Sequence, residues 1–357
     1  MTAMKSRTDD LRIERVRPLL SPAVLQEDLP LPDAAAALTF SVRRAIEGIL
    51  FGADPRLLVI AGPCSVHDPV AALDYAQRLR GVVDTYAETL QIVMRVYFEK
   101  PRTVVGWKGL INDPDLDGSY RINHGLRLAR KLLIDITSLG VPAGTEFLDT
   151  TLGQFYTDTI SWGAIGARTA ESQIHRELVS GLSMPVGIKN RTDGNIEVSI
   201  DAIQAARHRH LFPSLTKEGA PAILETRGND TAHLVLRGGS TSGPNYGAEA
   251  VRAAAQQLAA RGLPEVLLVD CSHGNSQKQA GRQRDVAFDI AAQLEGGASP
   301  IRGVMVESHL IGGRQDHVAG RPLVYGQSIT DACLSFEETL PIFDRLAEAV
   351  SRRRRAA

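Results

Sequence analysis

The chain has 357 residues, 43% hydrophobic and 23% charged, with a formal net charge of −1. That is an ordinary globular composition, and a balance this close to neutral excludes a global pull towards nucleic acid or anionic membrane; affinity for anions has to come from local placement of Arg and Lys. Three scattered cysteines, Cys64, Cys271 and Cys333, argue against a disulfide framework and for a reducing compartment.

The first 56 residues carry helical patterning broken by Pro18, Pro22, Pro30 and Pro32 and read as an N-terminal arm. They open with charges and lack the apolar stretch of a secretory signal. No apolar run reaches the roughly 20 residues that a membrane span requires. The expected location is therefore cytoplasmic, with no membrane and no nucleic-acid partner.

From residue 57 to 357 a short apolar run, a polar loop and a longer amphipathic stretch alternate. The apolar runs are 57–61, 92–96, 141–147, 164–168, 185–189, 233–237, 266–271 and 303–307. Helices are expected after Asp68-Pro69 through about Val83, over 123–139 up to Gly140, around 201–209, over 248–261 up to Gly262, over 283–294, and over 330–352. Eight β-rich runs alternating with helices predict an α/β fold, a (β/α)8 barrel of the TIM type. One insertion, 211–227, reads as a short extra β-hairpin before the sixth barrel strand. The C-terminal run Arg352–Arg355 reads as a solvated helix end that complements the helix dipole.

Chemistry in such barrels sits at the C-terminal ends of the strands. Here those ends carry Cys64, Arg95, Glu146, Arg168, Lys189, Arg237, His273 and Glu307, with Lys100 and Arg102 following the second strand and Asp331 beyond the eighth. One strand-end Arg is unremarkable, since its stem packs and its head reaches water. Arg95, Arg168, Lys189 and Arg237 around one mouth would repel unless an anion lies among them, and phosphate or carboxylate suits guanidinium and ammonium groups. Cys64, His273, Glu307 and Asp331 form a mixed thiolate, imidazole and carboxylate set suited to one divalent metal of the Mn, Fe, Co or Zn class. No sequence spacing supports that set; it rests on the barrel geometry. Cys271 and Cys333 read as structural.

Long motifs then identify a likeness. AGPCSVHDP (61–69), MRVYFEKPRTVVGWKGLINDP (94–114), SWGAIGARTAESQIHRE (161–177), KNRTDG (189–194), LRGG (236–239), DCSHGNSQKQ (270–279), VMVESHL (304–310) and GQSITDAC (326–333) resemble class I 3-deoxy-D-arabino-heptulosonate 7-phosphate (DAHP) synthase. This type of enzyme is regulated by aromatic amino acids and opens the shikimate route to chorismate. The likeness implies condensation of phosphoenolpyruvate with D-erythrose 4-phosphate and water. It implies Cys64, His273, Glu307 and Asp331 as metal ligands, and Arg168 and Arg237 on the phosphate of phosphoenolpyruvate, with Ala167 beside them. Arg95, Lys100 and Lys189 would surround its carboxylate, and Arg102 and Thr103 would hold the second phosphate. Lys100 and Glu146 are the candidate proton-transfer residues, with His273 grouped beside them. A homodimer or homotetramer is also implied.

For regulation the likeness implies an aromatic amino acid held near Asp9–Ile13, Gln154, Ser183 and Ser214. The TLGQF stretch at 151–155 points to tryptophan, Ser214 is compatible with phenylalanine, and the choice stays open. Two departures from the family pattern stand out: Arg191 where glycine is usual, predicting a tighter or more basic mouth, and Glu218 within an atypical 214–229 segment. Three rival readings remain: a synthase using another aldose phosphate, a Schiff-base aldolase with Lys189 as nucleophile, and a non-catalytic sugar-phosphate sensor.

Overall fold

A computed structural model of the chain describes residues 8–356, apart from 103 and 298. Among these residues, eight parallel strands run in chain order: β1 (Leu57–Gly62), β2 (Leu90–Arg95), β3 (Ala143–Glu146), β4 (Ile160–Ile165), β5 (Val186–Lys189), β6 (His233–Leu236), β7 (Leu267–Asp270) and β8 (Ile301–His309). Each pairs with the next, and β8 returns to β1 with Val59 opposite Val304 and Gly62 opposite Glu307. The sheet is thus a closed barrel without free edges, as the alternation of runs predicts. The hairpin 211–227 is also found: Leu211–Leu215 pairs antiparallel with Pro221–Glu225, apart from the barrel.

Helices fill the connections: α1 (Pro22–Asp28) and α2 (Asp33–Phe51) precede the barrel, followed by α3 (Pro69–Tyr86), α4 (Ile122–Ser138), α5 (Gln173–Gly181), α6 (Glu197–Ala206), α7 (Ala248–Ala260), α8 (Arg282–Glu295) and α9 (Phe336–Ala356). Their ends follow local chemistry. Asp68 caps α3 by accepting from the Val70 and Ala71 amides at 2.8 and 3.2 Å, with Pro69 in the first turn where its missing N–H costs nothing. Gly262 ends α7 at φ 66°, a conformation that favours glycine, and the Leu263 amide returns to the Leu258 carbonyl.

Three expectations need correction. The fourth strand covers 160–165, not 164–168, so Arg168 sits in the loop beyond it. Helix α5 has no counterpart among the helices read from sequence. The last helix starts at Phe336, because 330–335 forms the loop carrying Asp331 and a two-residue strand, Leu334–Ser335, that pairs with the end of β8.

Alternation along the strands divides the core. On β1, Leu57, Val59 and Ala61 face the helices, while Leu58 and Ile60 face the barrel interior. The interior cluster continues through Val93, Trp162, Val235, Leu268 and Met305 and is completed by Val42, Ile46, Ile49 and Leu50 of α2. Helix α2 therefore plugs the floor of the barrel, each of those side chains contributing about 1.5–3 kcal/mol of burial. The start of the chain is fastened further along by Arg130 of α4, which donates to the Leu29 carbonyl and is ion-paired with Asp158.

Candidate active site

At the C-terminal ends of the strands lies a cavity of about 370 Å³. Arg95, Lys100, Arg102, Glu146, Ala167, Arg168, Lys189, Arg237, His273 and Asp331 all line it. The four cations expected from separate strands thus share one space. Thr103 lies outside the described residues. The structure adds Tyr97, Glu99, Gly166 and Lys278 to the wall.

Arg95 and Arg168 are held very differently. Arg95 is almost wholly buried and donates to the carbonyls of Pro63 and Cys64 at 3.0 Å and to Glu307 Oε1 at 3.0 Å. Its guanidinium lies 3.6 Å from the centre of the Tyr97 ring. Arg168 is exposed at the rim. Lys189 Nζ stands 3.7 Å from Glu146 Oε2 and 3.4 Å from Asp270 Oδ2. Glu146 in turn leaves no room at Gly166, where a Cβ would lie 2.5 Å from Oε1. Burial pushes the Arg237 guanidinium below its usual range, partly offset by Asp270 and Glu146, and neighbouring Arg168 adds to the lowering.

Two buried asparagines position these loops. Asn190, next to Lys189, accepts from the Arg237 amide at 2.7 Å and donates to the Gly238 carbonyl. Asn275 donates to the carbonyls of Leu236 and Asp270 and accepts from the Asn245 amide. The loops after β6 and β7 touch backbone to backbone: a Cβ on Gly238 would lie 2.5 Å from the Asn275 nitrogen, and one on Gly274 would lie 2.6 Å from the Gly238 carbonyl carbon. His273 and Lys278 take φ of 55° and 60°, a left-handed backbone that costs a non-glycine residue about 1–2 kcal/mol. That cost falls on two residues of the cavity wall.

Beside the cations, ligand atoms of Cys64, Glu307 and Asp331 lie within 4.8 Å of one another. His273 is adjacent and outside that radius as a full member; its Nε2 is 3.7 Å from Glu307 Oε1. Its Nδ1 faces Asp270 Oδ2 at 3.0 Å and the Ser272 hydroxyl at 2.6 Å, which leaves Nε2 directed at the cluster. Lys100 Nζ donates to Cys64 Sγ at 2.8 Å and to Asp331 Oδ2 at 3.3 Å. Burial would raise the Asp331 carboxyl, but Lys100 and His273 outweigh it and hold it well below the carboxylate range. Burial and then Glu307 push the Cys64 thiol up. A thiol, an imidazole and two carboxylates converging around cationic neighbours fit a divalent ion that would hold the thiol as thiolate.

A profile for the DAHP synthetase I family matches residues 33–342. The chain belongs to the DAHP synthetase I family. Among the family's curated proteins, it is 55% identical over 348 residues to a Trp-sensitive phospho-2-dehydro-3-deoxyheptonate aldolase from Enterobacter agglomerans, covering 98% of this chain and 99% of that one. It is 54% identical over 351 residues to the Phe-sensitive enzyme of Escherichia coli strain K12, covering 98% and 100%. The solved phospho-2-dehydro-3-deoxyheptonate aldolase of Francisella tularensis SCHU S4 superposes with a TM-score of 0.93 at 49% identity, over 96% of this chain and 99% of that one.

Of the regulatory expectations for this DAHP synthetase I chain, Gln154 and Ser183 line one cavity of about 550 Å³, bounded by the hairpin and the segment after β3. Ser214 stands on the same hairpin, opposite Ala222, and is not part of that lining; nor is Asp9–Ile13. Lys217 does line it and donates to the Gln154 carbonyl. Arg191, expected to make the mouth tighter or more basic, is half-buried, ion-paired with Glu171 and Asp193, and not among the residues that line the cavity. No helix among the described residues is long and apolar enough to cross a membrane.

Proposed function

We propose that this chain condenses phosphoenolpyruvate with D-erythrose 4-phosphate and water to give 3-deoxy-D-arabino-heptulosonate 7-phosphate and phosphate, the first step of the shikimate pathway. The observation that carries this reading is the shared cavity of Arg95, Lys100, Arg168, Lys189 and Arg237, set against the Cys64, Glu307 and Asp331 cluster. Arg168 and Arg237 would hold the phosphate of phosphoenolpyruvate, with Ala167 beside it, while Lys189, Lys100 and Arg95 face its carboxylate. Arg102 and Thr103 would hold the phosphate of erythrose 4-phosphate.

Cys64, His273, Glu307 and Asp331 would bind one divalent metal of the Mn, Fe, Co or Zn class, supplying Lewis acidity towards the aldehyde oxygen when bound. The nucleophile is C3 of phosphoenolpyruvate, which forms a carbon–carbon bond to the aldehyde carbon. Lys100, an ammonium among carboxylates, donates a proton to the alkoxide that results. Glu146, beside Lys189, takes the proton of the water that adds at C2, and phosphate leaves by C–O cleavage. Arg168 and Arg237 stabilise the charge on the departing phosphate.

An aromatic amino acid effector in the cavity of Gln154 and Ser183 is supported by the regulation stated in the names of both curated relatives. Self-association into a homodimer or homotetramer is supported by the exposed Leu11, Ile13 and Val16 of the arm. A cytoplasmic setting suits the three free cysteines. Among the alternatives, Lys189 as a Schiff-base nucleophile finds no support, since it is ion-paired with Glu146 and Asp270.

The test is phosphate release and product identification with erythrose 4-phosphate and, separately, arabinose 5-phosphate, before and after EDTA. Turnover with erythrose 4-phosphate, lost in chelator and restored by Mn²⁺ or Co²⁺, supports the reading. Turnover only with the five-carbon sugar ends the substrate assignment, and undiminished turnover without metal ends the Lewis-acid role.

A further inference from the structure

The Arg352–Arg355 run does not behave as a uniformly solvated end. Arg352 is exposed and pairs with Glu348 and Glu295. Arg353 and Arg354 are half-buried, and with Arg302 at the start of β8 and Arg56 just before β1 they line a cavity of about 470 Å³. It opens at the floor end of the barrel, opposite the catalytic mouth.

Its charge is not balanced from within. Of its two carboxylates, Asp54 is bound to Arg56, with Nε and Nη2 at 3.0 and 2.6 Å from Oδ2, and Glu295 is bound to Arg345 at 2.6 and 3.0 Å. Among the described residues, Arg302, Arg353 and Arg354 have no carboxylate within 4.0 Å; Asp54 interacts with Arg354 at longer range. Arg302 donates to the Ser299 carbonyl at 2.6 Å and Arg353 to the Pro55 carbonyl at 2.8 Å. The Nε atoms of Arg302 and Arg354 are buried without an acceptor. Burial pushes Arg302 and Arg353 below the usual guanidinium range, and for Arg353 the nearby Arg302 and Arg354 add to it. Guanidiniums gathered in this way are short of acceptors and repel one another, and both deficits are relieved by an oxyanion.

We propose that this floor cavity, lined by Arg302, Arg353 and Arg354, is a second anion site that takes a phosphate-class oxyanion. Arginine heads offer paired donors to a tetrahedral dianion, and the aliphatic stems with Pro55 form the less polar wall around it. The site shares no residue with the catalytic cavity.

Equilibrium dialysis of the full chain against radiolabelled inorganic phosphate, at fixed ionic strength, tests this. The native chain is expected to bind one phosphate in the floor cavity in addition to those held at the two catalytic phosphate subsites. The Arg302→Gln/Arg353→Gln variant should lose the floor phosphate and keep its turnover, while Arg168→Gln/Arg237→Gln should keep the floor phosphate and lose the one at its own subsite. An unchanged stoichiometry in a folded Arg302→Gln/Arg353→Gln chain would overturn the proposal. If that double variant does not fold, Arg354→Gln alone is expected to weaken the floor phosphate at least about tenfold, the factor lost with one charge-assisted hydrogen bond; unchanged affinity there overturns it equally.

Discussion

Asp270 stands 3.0 Å from the Nδ1 of His273 and 3.4 Å from the Nζ of Lys189, so one buried carboxylate serves both the candidate metal cluster and the candidate anion cradle. Burial would raise its pKa, but His273 and Lys189 outweigh that and keep it ionised far below the ordinary range. Asp270→Asn keeps the shape while removing the charge. We expect a loss of about 10–100-fold in metal affinity or turnover, the usual cost of losing a partner that orients a ligand. Competition against a chelating dye, read beside phosphate release, measures both; a variant with native values in each would show that His273 needs no such support.

Arg95 and Arg168 should separate in a mutational test. Arg168 is exposed, so Arg168→Gln should fold normally and lower kcat/KM for phosphoenolpyruvate about ten- to a hundredfold, the range for a charged hydrogen bond of about 1.5–3 kcal/mol. Arg95→Leu strands Glu307 as a buried charge and should cost about 3–5 kcal/mol of stability as well. Denaturant unfolding of the two variants in metal-free buffer decides this, and equal stability would refute the asymmetry.

The alkaline limb of stability should depend on Glu99. Burial pushes its carboxyl up to about 8, with Asp149 adding to the rise and the amides of Asp149 and Leu148 only partly offsetting it. The folded state therefore holds the proton more tightly than the unfolded chain, whose value is near 4.5. This contribution is complete below about 4.5 and is lost as pH rises through about 8. Glu99→Gln should flatten the decline, so that its melting temperature gains on the parent's as pH increases across that window. Parallel curves would show that Glu99 is not the group responsible.

His233 sets the acid limb. Trp162 Nε1 donates to its Nε2 at 3.2 Å and its Nδ1 faces the Thr231 carbonyl at 2.9 Å, a pattern that only the neutral ring protonated on Nδ1 satisfies. Burial accordingly lowers its pKa from 6.5 to about 4. Stability from this site is present above about 6.5 and is lost as pH falls through about 4, a swing of roughly 3 kcal/mol. His233→Gln should reduce the slope of unfolding free energy in that interval. A residual slope has contributors in His309, also pushed to about 4 by burial and by His67, and in His67 itself, which burial likewise lowers. An unaltered slope in the variant would remove His233 from the account.

Much of this was legible in the sequence, for identifiable reasons. Short apolar runs separated by capped helices prescribe the barrel, and residues at strand ends converge wherever the strands close. The same rule points to Asp270, the last residue of β7, three positions before His273. The bounds of strand β4 escape the sequence because it is buried on both faces, with Ser161 and Gly163 interrupting the apolar run, so neither alternation nor apolarity marks them. Helix α5 is nine residues, too short to declare itself by periodicity. Lys278 reaches the cavity only through the path of its loop, which no local pattern encodes. The half-burial of Arg353 and Arg354 depends on where α9 ends relative to β8, which no local pattern encodes.

Helix α2 plugs the barrel with side chains that meet Leu58 near residue 60 and Met305 some 250 positions later. During synthesis, that early helix can hold no native floor until the eighth strand has left the ribosome. The contacts it waits for are among the most distant in the chain, and loops of that size close slowly. Nascent chains halted before β8 should accordingly expose α2's apolar face and be natural clients for chaperones that recognise such surfaces.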